Sequence, residues 1–92
     1  MRDFKEISSD CFYKMGNYHQ KTIDLIQETE ELFNESPKNR DEENILIEKL
    51  GALSYEISTE LEIFNPALEI EISDLKDILV HIEKKTSDLM AR

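Results

Sequence analysis

Residues 46–64 read LIEKLGALSYEISTELEIF, and their apolar side chains recur at steps of three or four. This spacing places side chains on one face of an α-helix. It predicts a helix over about 38–64, and the face consists of Leu46, Leu50, Leu53, Ile57, Leu61 and Phe64.

A second row follows the boundary Asn65-Pro66, where proline favours a helix start and disfavours helical geometry in the residue before it. The row predicts a helix over about 66–90. An alternative remains open, because residues 68–72 also alternate with period two and Ser73 can cap a helix. Residues 66–72 would then form an extended linker. The row consists of Leu68, Ile72, Leu75, Leu79, Ile82, Thr86 and Leu89.

Upstream, two apolar rows repeat every seventh residue and predict one helix over about 3–34. Gly16 interrupts this helix at a cost of roughly 1 kcal/mol relative to alanine, and marks a kink or the close approach of another backbone. Ser36 and Pro37 mark the boundary with the next helix. The rows are Phe4, Cys11, Tyr18, Leu25 and Leu32, and Phe12, His19, Ile26 and Phe33.

These patterns predict an all-α fold within a single domain of 92 residues. Three long antiparallel helices would pack as a bundle or helical hairpin, with the heptad spacing of coiled coils. Because a chain this short buries a modest core, we expect a second copy or another protein to complete the bundle.

The chain has 11 basic and 21 acidic residues and a formal net charge of -10. Without a basic stripe, binding to nucleic acid or to an anionic membrane is not expected. An acidic exterior is compatible with basic partners, with mimicry of nucleic acid, or simply with solubility. Cys11 is the single cysteine, which we expect to be a small buried apolar side chain. A lone cysteine and no apolar signal or membrane segment lead us to expect a cytoplasmic protein.

Three acidic residues have a spacing that suggests a metal site. Glu71 follows Glu56 by 15 residues, and Asp74 follows Glu71 by three. These stretches resemble the helix pair of the MazG-like all-α nucleotide pyrophosphohydrolases, in which Glu-Glu-x-x-Glu and Glu-x-x-Asp runs bind Mg²⁺. The resemblance implies that Glu56, Glu71 and Asp74 hold the metal, which positions a water against a nucleotide's phosphate chain. Ala52 and Leu53 stand where the family has two further acids.

A second register places Gln27, Glu28 and Glu31 on the first run, but residues 48–51 then lack the aspartate of the second run. The ordinary interpretation of such acidic pairs is a solvated helix face and not a metal site. With 21 acids in 92 residues, pairs such as Glu71 and Asp74 arise readily on solvated helix faces.

No complete catalytic constellation appears, so we do not expect an enzyme or a bound cofactor. The apolar inventory is generous for 92 residues, which predicts a protein-binding module: an adaptor, a chaperone, an inhibitor or an antitoxin-like or immunity-like factor. Its partner would be another protein or a second copy of itself. The alternative is the Mg²⁺-dependent pyrophosphohydrolase, with or without remaining activity. The candidate partner-binding residues are Phe12, His19, Tyr55, Ile63 and Phe64.

Overall fold

A computed structural model describes residues 1–14, 16, 18–63 and 69–91. Four α-helices follow one another along these ranges: α1 at Phe4–Tyr13, α2 at Gln20–Phe33, α3 at Arg40–Ile63 and α4 at Glu69–Met90. These ranges contain no strand, so the predicted all-α class is confirmed. None of the helices described is both long enough and apolar enough to cross a membrane.

The first predicted helix is divided in two. The prediction of one helix over about 3–34, and hence of three helices in all, is wrong, because α1 ends at Tyr13 and α2 begins at Gln20. Gly16 lies in the break, and apart from the glycine and its chain neighbours no described heavy atom comes within 4 Å of the place where a Cβ would sit. The glycine therefore marks a break in the helix and not the close approach of another backbone. The break lets α1 and α2 pack on each other while both contact α4.

Each helix contributes one apolar face to the core. In α3 this is the predicted row from Leu46 to Ile57, whose four members are at most 2% exposed. In α4 the predicted row is joined by Ile78, which is fully buried. The buried apolar side chains are Ile7, Cys11, Ile23, Leu25, Ile26, Leu32, Leu46, Leu50, Leu53, Ile57, Leu75, Ile78, Ile82 and Leu89.

The break also separates the members of one predicted row. Ile26 is 1% exposed, whereas Phe12 is 71% exposed and His19 is exposed as well. A seven-residue spacing keeps side chains on one face only while the helix is continuous. Since the helix stops after Tyr13, Phe12 is turned away from the core.

The ends of α3 and α4 bear on the remaining boundary predictions. The Asn39 side-chain oxygen accepts the N–H of Glu42 at 2.9 Å, which caps α3 one residue before its start. Arg40 donates to the carbonyl of Leu89 at 3.2 Å, so the start of α3 lies beside the end of α4. Residues 69–72 belong to α4 and not to an extended linker. The remainder of that prediction, residues 66–68, lies outside the described residues.

We expect Ile57→Ala to destabilise the fold by about 2–5 kcal/mol, because it leaves a cavity in a core that packs tightly around this side chain. Ile63→Ala is the matched control, since Ile63 lies on the same helix but is 70% exposed, whereas Ile57 is fully buried. The control should change stability by less than about 0.5 kcal/mol. Urea unfolding followed by circular dichroism measures both, and equal losses would contradict this description of the core.

Candidate functional site

Two carboxylates of α4 point into the molecule. Glu71 and Asp74 lie three residues apart on one helix face, and they are 4% and 1% exposed. For this pair the interpretation as a solvated acidic face is wrong. Their side chains meet the break between α1 and α2, together with the residues that precede α1.

Asp74 is held by an arginine and a tyrosine. The Arg2 guanidinium donates to Asp74 at 2.8 Å and also pairs with Asp10 of α1, and the Tyr18 hydroxyl donates to Asp74 at 3.2 Å. Burial opposes the charge of Arg2, but the hydrogen bonds and charges of both aspartates raise the pKa of its guanidinium. Burial, with the negative charge of Asp74 next, raises the pKa of Tyr18, so its hydroxyl keeps the proton that it donates.

The backbone of Arg2 is fixed to α4 as well. Its N–H donates to Asp77 at 3.1 Å, and the Nε2 of His81 lies 2.8 Å from its carbonyl oxygen. A carbonyl oxygen only accepts, so this contact requires a proton on Nε2 of His81. Arg2 is thus attached along two successive turns of α4.

Glu71 completes the start of α2 from a different helix. One of its oxygens accepts the backbone N–H of His19 at 2.7 Å, and the other lies 3.1 Å from Nδ1 of His19 and 3.4 Å from the Thr22 hydroxyl. The His19 side chain makes no capping hydrogen bond, and α2 has no acidic residue in its own first turn. A carboxylate here satisfies a free N–H and opposes the positive end of the helix dipole.

These contacts define one unit, which we call the polar seam. Among the described residues, no fully buried side-chain nitrogen or oxygen lacks a hydrogen-bond partner. The seam therefore acts as a brace between α4 and the first third of the chain. Its members are Arg2, Tyr18, His19, Thr22, Glu71 and Asp74.

The seam does not include the third acid of the expected magnesium site. Glu56 lies on α3 in a different groove, where it interacts with Glu28 of α2. In the ranges that the structure describes, no three His, Cys, Asp or Glu side chains come close enough to hold a metal ion. The oxygens of Glu71 and Asp74 are used by protein donors instead. Among the described residues, therefore, Glu56 is not brought together with Glu71 and Asp74.

A second feature is an open groove between α1 and the end of α2, which encloses about 640 Å³. Four aromatic side chains line it. Phe4 and Phe33 meet edge to face with their ring centres 4.8 Å apart, and Phe12 and Tyr13 do the same at 5.4 Å. The first pair packs against the core, whereas Phe12 and Tyr13 are 71% and 80% exposed. We call these four side chains and the space between them the aromatic groove.

Polar groups lie between and beside the rings. The Ser8 hydroxyl of α1 donates to the Glu30 carboxylate of α2 at 2.9 Å, which ties the two walls together. Asp3 and Lys5 also line the groove, so the described part of its lining carries two carboxylates and one ammonium.

The candidate partner-binding residues occupy different places. Phe12 lies in the aromatic groove, and Tyr55 is 75% exposed in a separate groove of about 650 Å³ between α2 and α3. Ile63 is 70% exposed at the end of α3, and His19 belongs to the polar seam with 61% of its side chain exposed. Phe64 lies outside the described residues.

Sequence reasoning missed Tyr13 as a neighbour of Phe12, and it missed Arg2 and Tyr18 as partners of Asp74. The only signal for Tyr13 was its place next to Phe12, just before Gly16. Arg2 offered none, because the two hydrogen-bonded residues lie 72 positions apart in sequence.

Comparison of the chain with protein-family models, with curated proteins and with solved structures found no match. The geometry of the polar seam and of the aromatic groove therefore carries the functional argument.

From the polar seam we predict that Asp74→Asn lowers stability by about 1–3 kcal/mol, because the partly buried donors of Arg2 and Tyr18 lose a charged acceptor. Cys11 of α1 supplies a second readout. Burial raises the pKa of its thiol, with smaller contributions from Asp74, Glu30 and Glu71, so alkylation of the folded protein should be slow.

In Asp74→Asn, labelling of Cys11 by iodoacetamide should become faster, because α1 loses an attachment to α4. Asp88→Asn is the matched control, since Asp88 is exposed on the same helix. It should leave stability within about 0.5 kcal/mol and the labelling rate unchanged. Equal behaviour of the two variants would show that the seam does not hold α1 in place.

We predict that Glu28 lowers the stability of the fold as the pH rises, whereas most carboxylates raise it. Partial burial, and then the charge of Glu56, raise its pKa from the ordinary 4.5. The folded chain therefore binds this proton more tightly than the unfolded chain, and its contribution to stability falls as the pH rises from 4.5 through the raised pKa.

Accordingly, Glu28→Gln should stabilise the fold at pH 7 by about 0.2–0.5 kcal/mol, a modest gain because exposed like charges are screened. At pH 3 Glu28 is protonated in both states, so the difference should vanish. Urea unfolding at the two pH values measures the effect. Glu48→Gln removes the same charge at an exposed site of α3, and a matching profile in that variant would refute the role of Glu28.

Proposed function

We propose that this protein acts by binding another protein chain, and that the aromatic groove is part of its binding surface. The observation that carries the proposal is the exposure of Phe12 and Tyr13, at 71% and 80%, side by side at the end of α1. Aromatic side chains are enriched at protein interfaces, where each contributes a large contact area at a small cost in conformational entropy.

The core does not need these two rings. In the described part of the chain, fourteen buried apolar side chains form one cluster, and Phe4 and Phe33 already close its edge beside the groove. Burying a large apolar side chain is worth about 1.5–3 kcal/mol. For Phe12 and Tyr13 most of this free energy is left for association with a partner.

Tyr55 and Ile63 are a second proposed contact region, since both are exposed on α3. A module of this kind would serve as an adaptor, a chaperone, an inhibitor or an antitoxin-like or immunity-like factor. Action in the cytoplasm is part of the proposal, because the lone buried Cys11 suits a reducing compartment. The pyrophosphohydrolase alternative is less well supported, because Glu56 lines a groove with Glu28, whereas Glu71 and Asp74 belong to the polar seam.

Capture of partners from a lysate of the source organism tests the proposal when wild type and variants are compared. Phe12→Ser/Tyr13→Ser should lose a captured chain that the wild type retains. The control is Ile70→Ser/Val80→Ser, which removes two exposed apolar side chains from α4, 71% and 46% exposed. It should keep that chain. Both variants are first checked for unchanged unfolding curves.

Light scattering coupled to size exclusion decides whether the partner is a second copy. A dimer that dissociates only in Phe12→Ser/Tyr13→Ser would assign the groove to self-association. The proposed binding surface would be refuted if that variant kept both the oligomeric state and every captured chain of the wild type.

A further inference from the structure

We propose that the aromatic groove accepts an amphipathic α-helix of the partner, with apolar side chains against the four rings and lysine or arginine side chains at the rim. This inference rests on the proposed function and adds to it the conformation and charge of the bound segment.

The walls of the groove favour a helix over an extended segment. Both walls are α-helices, whose backbone groups are paired along their own axes except in the end turns, so among the described residues the groove offers mainly side chains and no strand edge. An extended segment lying against the rings would leave many of its N–H and C=O groups without partners. A helix satisfies its own backbone and presents apolar side chains at helical spacing, as in other complexes of a helix in a groove.

The open shape of the groove, and not its volume, favours a chain over a small molecule. Its volume of about 640 Å³ has room for several apolar side chains. Small-molecule sites bury most of the surface of their ligand. Phe12 and Tyr13 leave this groove open, since most of each ring faces solvent. An open trough with aromatic walls suits a segment that enters from the side.

Charge selects the kind of helix. Among the described residues, two carboxylates, Asp3 and Glu30, line the groove against one ammonium, that of Lys5, and the whole chain carries a net charge of -10. Ser8 holds Glu30 in place between the walls. Lysine or arginine at the rim would complement these charges and speed association. A second copy of this chain would bring the same net charge of -10, so charge disfavours it as the occupant.

Fluorescence anisotropy with two labelled synthetic helices and the full chain tests the inference. Both peptides carry leucines on one face, and the other face carries lysines in the cationic peptide and glutamates in the anionic one. We expect the cationic peptide to bind at least about tenfold more tightly, with its helicity rising in circular dichroism. Its affinity should fall as salt is raised.

Protein variants locate the site. Phe12→Ser/Tyr13→Ser should lower the affinity for the cationic peptide by about tenfold or more, which is the scale expected when interface anchors are removed. Ile70→Ser/Val80→Ser should leave its affinity within about twofold. Glu30→Gln should weaken binding more than Glu83→Gln, which removes the same charge from an exposed site of α4.

The inference is overturned if the two peptides bind equally, if neither binds, or if the affinity for the cationic peptide is unchanged in Phe12→Ser/Tyr13→Ser. These results are separable from failure of the proposed function. If capture of the native partner still requires Phe12 and Tyr13 while the cationic peptide does not bind, the helix inference falls and the binding function stands. If capture is also insensitive to both residues, the two fall together.

Discussion

Two carboxylates removed from water require partners, and this requirement organises one whole side of the molecule. Glu71 and Asp74 are almost fully buried, and a buried charge without partners is strongly destabilising. Their partners come from the bend between α1 and α2 and from Arg2, which precedes α1. The break between α1 and α2 can lie only where the donors of Tyr18 and His19 reach these two carboxylates of α4. The apolar core makes the helices collapse together, whereas the polar seam fixes where the first third of the chain attaches.

Helical periodicity is a local property, which is why the sequence was sufficient for α3 and α4. The row from Leu46 to Ile57 points into the core as expected, because nothing interrupts the helix between them. The break after Tyr13 could not be placed in the same way. A single glycine weakens a helix by only about 1 kcal/mol, so Gly16 alone permits either a continuous or a broken helix. The outcome is set by tertiary contacts, such as that between His19 and Glu71, 52 residues apart in sequence.

The same break explains why the candidate surface was only partly foreseen. Phe12 was a candidate contact residue, yet its sequence row placed it with Ile26 on a buried face. Once the helix stops, Phe12 faces outward beside Tyr13, and the folding back of α2 brings Phe33 next to Phe4. The aromatic content was readable from the sequence, but the groove exists only because two short helices replace one long helix. The polar seam and the aromatic groove therefore both result from the break between α1 and α2.

The start of α2 is completed by a residue that is synthesised much later. Glu71 accepts the N–H of His19 and offsets the dipole of a helix that has no acid in its own first turn. During translation, at roughly 5–20 residues per second, α1 and α2 leave the ribosome several seconds before α4. Throughout that interval α1 and α2 lack the hydrogen bonds that Glu71 and Asp74 of α4 supply. A helix that is synthesised after α1 and α2 thus gives both of them their final geometry.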